Sequence, residues 1–149
     1  GTFISSTFYT ERVAFAAALK SIELYQKYKV WEKQDEYGAR VSAGWKEKAK
    51  KNGLNVKAEG IHPLVHFSIL GKENMLVYKT FFVQEMLKRG YIASNAFYTS
   101  YAHSKELIEE YLENVDDVFR MIAEIDRKDE TVESYLEGPV CHSGFGRLN

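Results

Sequence analysis

Leu54-Asn55-Val56-Lys57-Ala58-Glu59-Gly60 and, after Ile61-His62-Pro63, Leu64-Val65-His66-Phe67-Ser68-Ile69 switch the chain from a helical to an alternating period. Leu54, Val56 and Ala58 alternate with polar residues, and so do Val65, Phe67 and Ile69. Alternation of this kind places one side of an extended backbone on a core. It predicts two strands joined at Glu59-Gly60. Pro63 starts the second, where its missing N–H does least harm, and Gly71-Lys72 closes it.

Outward from this pair the period is helical. Residues 10–28 carry Val13, Ala14, Ala17, Ala18, Leu19, Ile22 and Tyr25 at helical spacing, and the alanines predict a thin face packed against a sheet. Residues 30–51 place Tyr37, Val41 and Trp45 on one face, with Lys46, Lys48, Lys50 and Lys51 at the dipole-favoured end and Asn52-Gly53 as a stop. Downstream, residues 74–89 point Leu76, Val77, Phe81, Phe82, Met86 and Leu87 inward, and Gly90 ends that helix. Short strands are predicted at Tyr91-Ile92-Ala93 and from Ala96 to Ala102. Ser104 then caps a long helix through Ile125, with Leu107, Ile108, Tyr111, Leu112, Val115, Val118, Phe119 and Ile122 inward. Residues 131–137 read as a short helix and 138–149, with Gly138, Pro139, Gly144 and Gly146, as an irregular tail. The expected fold is α+β: a small, mostly antiparallel sheet covered by helices, preceded by a long N-terminal linking helix.

Composition narrows the function classes. The 149 residues are enough for one domain with a real core, and 45% hydrophobic with 28% charged residues fits a globular chain. A formal net charge of -1 gives no electrostatic reason to expect nucleic acid or an anionic membrane. The lone Cys141 excludes an intrachain disulfide framework and suits a reducing, cytoplasmic setting. No apolar run approaches the length of a membrane span.

Ser5-Ser6-Thr7 groups three hydroxyls before the first helix, in Phe3-Ile4-Ser5-Ser6-Thr7-Phe8-Tyr9-Thr10-Glu11-Arg12. From the residues alone these hydroxyls either cap a helix or start a turn, or they offer donors to an anion beside free backbone N–H groups. Three stretches in order then carry a resemblance: this run with the alanine-rich Val13–Leu19, Met86-Leu87-Lys88-Arg89-Gly90-Tyr91-Ile92-Ala93-Ser94, and Phe97-Tyr98-Thr99-Ser100-Tyr101-Ala102-His103-Ser104. Over roughly residues 1–126 the chain resembles the C-terminal portion of class III pyridoxal-phosphate aminotransferases near glutamate-1-semialdehyde aminomutase.

The resemblance implies that 1–28 is the end of a large cofactor domain with its linking helix, 29–126 a C-terminal small domain, and 127–149 an extension. It implies pyridoxal 5'-phosphate as cofactor, a homodimer, and a small-molecule amine donor and carbonyl acceptor, without nucleic acid or membrane. Thr7 matches the threonine that reaches the cofactor phosphate of the neighbouring subunit. Ser6 stands where that family has a glycine, as a second donor. The Schiff-base lysine, the pyridine-pairing aspartate and the glycine-serine phosphate loop all lie upstream of this stretch in the family. A chain beginning here, at Gly1, is therefore expected to be a fragment inactive by itself. The short Ser94-Asn95-Ala96 carries no glutamate, and Thr99-Ser100-Tyr101 no arginine, which favours an aminotransferase relative over an aminomutase proper. Asn95 and Tyr98 either face an active site or form a wet loop and a packed aromatic.

Two rival chemistries fit less well. His62 and His66 lie on a strand pattern, and His103, Cys141 and His142 add no recognised zinc spacing. Tyr91, Phe97, Tyr98 and Tyr101 beside Lys88 and Arg89 match an RNA-stacking sheet poorly. A non-catalytic interaction or dimer-supporting domain is the remaining alternative.

Overall fold

The alternating run forms a hairpin at the centre of the fold. In the computed structural model, which describes residues 7–9 and 11–144, β1 (Val56–Ile61) and β2 (Leu64–Ile69) pair antiparallel from Val56↔Ile69 to Ile61↔Leu64. The turn is His62-Pro63, not Glu59-Gly60. Gly60 stays in the ladder with φ +101, where an added Cβ would lie 2.4 Å from the Leu64 carbonyl oxygen. The glycine thus serves a close backbone approach rather than the reversal itself.

A third strand, β3 (Ala96–Tyr98), adds to β2 through Leu64↔Tyr98, Val65↔Phe97 and His66↔Ala96, giving a three-stranded antiparallel sheet of order β1-β2-β3. Tyr91-Ile92-Ala93 is not a strand. The Tyr91 N–H donates to the Met86 carbonyl (3.0 Å), so the segment continues the helix stop at Gly90 instead of joining a ladder.

Helices cover one side of this sheet. They are α2 (Val30–Lys51), α3 (Met75–Lys88) and α4 (Lys105–Arg127), preceded by α1 (Arg12–Lys27) and followed by a single 3₁₀ turn at Val132–Tyr135. Val65, Phe67 and Ile69 point from β2 into the core, where Phe67 meets Trp45 of α2 (4.9 Å between rings), Phe82 of α3 (5.0 Å) and Phe119 of α4 (5.6 Å), edge to face. Tyr37, Val41 and Trp45 are buried as their spacing implied, and Ala49 extends that face. The α2 backbone passes so close to the hairpin turn that Gly38 has no room for a side chain, and Gly44 accepts Leu112 of α4. Ser104 caps α4 by accepting the Leu107 N–H (3.2 Å). Leu107 itself and Leu87 of α3 are exposed, at the edges of their apolar stripes.

Two regions depart from expectation. α1 buries none of its residues: its alanine face packs on no sheet. After α4 the short helix expected over 131–137 is a 3₁₀ turn at Val132–Tyr135, and residues 138–144 of the expected tail are tied down. Val132 is buried, and Leu136 and Val140 pack against the core. Gln84 Nε2 donates to the Tyr135 carbonyl (3.0 Å), the Glu137 N–H to Gln84 Oε1 (2.8 Å), and the Cys141 N–H to Thr80 Oγ1 (2.9 Å). This segment is a strap across α3.

Candidate functional site

The candidate anion site is the start of α1. Thr7 lies in an exposed turn over Thr7–Tyr9, and the Glu11 N–H donates to the Phe8 carbonyl (3.0 Å). Ser6, like Ser5, lies outside the described residues. Thr7 does not cap the helix. The N-cap is Glu11, in extended geometry and without a side-chain cap bond, because α1 begins only at Arg12. The first-turn N–H groups of α1 therefore have no side-chain acceptor from the cap. No acidic residue stands in that turn and Arg12 opens it, a favourable setting for an anion. Among the described residues the site offers a hydroxyl-bearing turn, first-turn N–H groups that the Glu11 side chain does not cap, and the Arg12 cation, with the Glu11 carboxylate beside them.

The second candidate region is a groove of about 560 Å³ at the free edge of β3, lined in part by Tyr91, Ala93, Phe97, Tyr98, His103 and Tyr111. Burial, with a smaller contribution from Lys33, holds the His103 imidazole below its usual pKa. His103 Nδ1 accepts the Ser100 N–H (3.1 Å), so the neutral ring carries its proton on Nε2. The ring lies 5.1 Å from Phe97. Tyr91 and Phe97 both meet Tyr111 edge-on or tilted, at 5.8 and 5.3 Å, which uses them for packing and not as a stacking platform. Tyr98 is exposed on the open face of the sheet. Asn95 is pinned to β2: its Nδ2 donates to the Phe67 carbonyl (3.1 Å) and its carbonyl accepts the Phe67 N–H (2.8 Å). Neither fits the wet-loop and packed-aromatic reading. The sequence named these aromatics, but only the β3 register reveals which side each takes.

The described lysines with perturbed acidity are held charged rather than activated. Burial lowers Lys72, but its hydrogen bond to Asp126 (2.7 Å), the Asp126 charge and Tyr78 together outweigh that and raise it. Lys88 is raised by hydrogen bonds to Glu137 and Glu85, and Lys105 by Glu36. An amine nucleophile needs the opposite shift. His62 Nδ1 sits 2.7 Å from Asp35 Oδ1, whereas His66 lies on the open sheet face beside Glu59. Among the described residues no three His, Cys, Asp or Glu side chains stand together as a metal site. None of the described helices is long and apolar enough to cross a membrane.

No protein-family model matches the chain. Its fold is similar to that of the FumI protein of Sphingopyxis sp. MTA144, solved in its PLP internal aldimine form. The TM-score is 0.74 at 20% identity, over 90% of this chain and 32% of the FumI chain. At this identity the likeness establishes a shared fold. The chain spans about a third of FumI's length, in which it corresponds to one α+β unit of a larger protein.

Proposed function

We propose that this chain is the C-terminal portion of a cytoplasmic pyridoxal-phosphate enzyme of the class III aminotransferase kind, aminomutase-like in sequence. The intact enzyme moves an amino group between an amine or amino acid and a carbonyl compound, and acts as a homodimer. The observation that carries this reading is the fold likeness to a PLP protein, over 90% of the chain, in a sequence whose motif order points independently to such enzymes. When bound, the cofactor supplies an electron sink for chemistry at the amino-bearing carbon.

The part played by these residues is phosphate binding. Thr7, with Ser6, donates hydroxyl hydrogens to the phosphate, and the open first turn of α1 adds N–H groups and a favourable dipole. The lysine that holds the cofactor is supplied from outside this stretch, in accord with the raised pKa of Lys72, Lys88 and Lys105.

The test is a titration of pyridoxal phosphate into the longest polypeptide that carries these residues, followed by its visible absorption and by its displacement with inorganic phosphate. Stoichiometric binding, changed by an amine donor and weakened about tenfold by Thr7→Ala, is the expected result. Absence of binding overturns it. The exposed apolar face of α1 favours one second reading, an interaction or dimer-supporting domain.

A further inference from the structure

We propose that the face of α3 bearing Thr80, Gln84 and Lys88 is a peptide-binding groove, which this chain fills with its own strap. In trans it accepts an extended segment of another protein with the strap's pattern. That pattern is a large apolar residue, an acid directly after it, and a branched apolar residue three positions beyond the acid. The strap lies beyond roughly residues 1–126, which carry the resemblance to aminotransferases, so the inference stands apart from the reading above.

The seated strap displays the recognition chemistry. Thr80, Gln84 and Lys88 recur every four residues and form one stripe along α3. Gln84 grips the strap's main chain as a neighbouring strand would. Its amide nitrogen donates to the Tyr135 carbonyl (3.0 Å), and its oxygen accepts the Glu137 N–H (2.8 Å). One turn back, Thr80 Oγ1 accepts the Cys141 N–H (2.9 Å) and donates its own hydrogen to the Leu76 carbonyl (2.7 Å). The strap thus runs antiparallel to α3. Pro139, between the two gripped amides, has no N–H that needs a partner. Main-chain contacts of this kind hold any extended sequence, and side chains choose among sequences.

Two features make that choice. Leu136 and Val140 pack against the core, which asks for apolar residues at both positions. The other feature is charge. The buried Glu85 carboxylate holds two cations, Lys88 Nζ at 2.7 Å and Arg89 Nη1 at 3.2 Å, which leaves one positive charge in excess. Glu137 supplies the matching carboxylate, 2.7 Å from Lys88 Nζ. Gln84 Nε2 also donates to Glu85 Oε1 (3.1 Å). One buried acid therefore orients both the side chain that grips the main chain and the one that reads the acid.

The groove can be vacated without breaking a sheet or a helix. Among the described residues, the strap's main chain from Leu136 to Cys141 is held to α3 by side chains alone. Glu137, Gly138 and Pro139 are exposed. At the strap's root Asp129 is left-handed with φ 57, so one hinge residue sets its direction. Tethering gives the strap an effective concentration on the order of millimolar, and a free segment enters once the strap's own contacts are weakened.

A synthetic peptide of Thr131–Gly144 carrying a fluorescent dye, titrated with the full chain and read by anisotropy, tests this. Glu137→Lys loosens the strap at an exposed position by setting a cation against Lys88, and Leu136→Glu does so in a second chain. Circular dichroism checks that both fold. The expected result is binding to both loosened chains about tenfold tighter than to the native chain, whose own strap competes. A peptide that itself carries Glu137→Lys binds about tenfold more weakly, as does a loosened chain that also carries Gln84→Ala. No saturable binding to either loosened chain overturns the proposal. Equal binding of the native and charge-swapped peptides overturns it too, since the groove then reads nothing. Native chain offered in place of the peptide probes a second copy as occupant. If it binds a loosened chain as tightly as the free peptide does, the assignment to another protein's segment is overturned.

Discussion

Gly38 of α2 lies so close to the hairpin turn that a Cβ built on it falls 1.6 Å from the His62 carbonyl oxygen. The contact is backbone against backbone, so no side-chain rotation relieves it. Gly38→Ala must lift the helix from the hairpin, and with it Tyr37 and Val41. A loss of about 3 kcal/mol is expected, at the upper end of overpacking costs. Urea unfolding followed by circular dichroism measures it. Gly138→Ala, where a Cβ meets open space and φ is not positive, is the control and should change stability little.

Tyr111 and Trp45 share a buried hydrogen bond between side chains within the helical layer, from indole Nε1 to the phenol oxygen (3.1 Å). Tyr111→Phe strands the indole N–H in a dry site, which costs about 1–3 kcal/mol. Burial also pushes the Tyr111 phenol well above its usual pKa. Its folded value exceeds its unfolded one, so the stabilisation is full below about pH 10 and is lost as pH rises further. The alkaline limb of a pH–Tm curve is expected to be shallower in Tyr111→Phe than in the native chain. An unchanged limb would disprove the assignment.

Glu85 is a buried carboxylate at the strap side of α3. Burial raises its pKa, but hydrogen bonds from Lys88 (2.7 Å), Gln84 (3.1 Å) and Arg89 (3.2 Å) outweigh this and hold it below the usual carboxylate range. A depressed folded pKa gives stability above the unfolded value of about 4.3, lost as pH falls through the folded one. Glu85→Gln should therefore lose stability at pH 7 by about 1–3 kcal/mol and converge on the native chain in acid. Thermal melts at pH 3 and 7 decide it.

Val132 belongs to the core although it follows a charged break in the sequence. Val132→Ala is expected to cost about 2 kcal/mol through the cavity it leaves beside α3 and α4. Hydrogen exchange should show the Glu137 and Cys141 amides, which donate to Gln84 and Thr80 of α3, losing protection first. Protection unchanged at those two positions would show the strap to be incidental.

What could be read from the sequence follows from which forces are local. The 30–51 helix, the period-two run over 56–69, the Gly90 stop and the Ser104 cap all depend on neighbours within a few residues, and the structure has each of them. The hairpin turn is displaced because a glycine signals either a reversal or a close approach, and only pairing with Val65, which brings the Leu64 carbonyl near, decides which at Gly60. Tyr91-Ile92-Ala93 has the composition of a strand, but its backbone is drawn to the end of α3. α1 shows the same limit: periodicity reveals an apolar face and says nothing of what covers it. For the site, Thr7 was legible as a hydroxyl ahead of a helix. That it stands clear of the cap, leaving the first turn of α1 open, depends on a helix start that no single residue marks.

The strap has one further implication, for synthesis on the ribosome. Chains emerge from their N-terminal end, so α2, the hairpin, α3 and α4 are all exposed before Val132, Leu136 and Val140 arrive to seal them. The apolar interior stays open to chaperones and proteases until this segment is made. A nascent chain halted before that point is then an unfinished fold, marked for clearance by the surface it cannot yet hide.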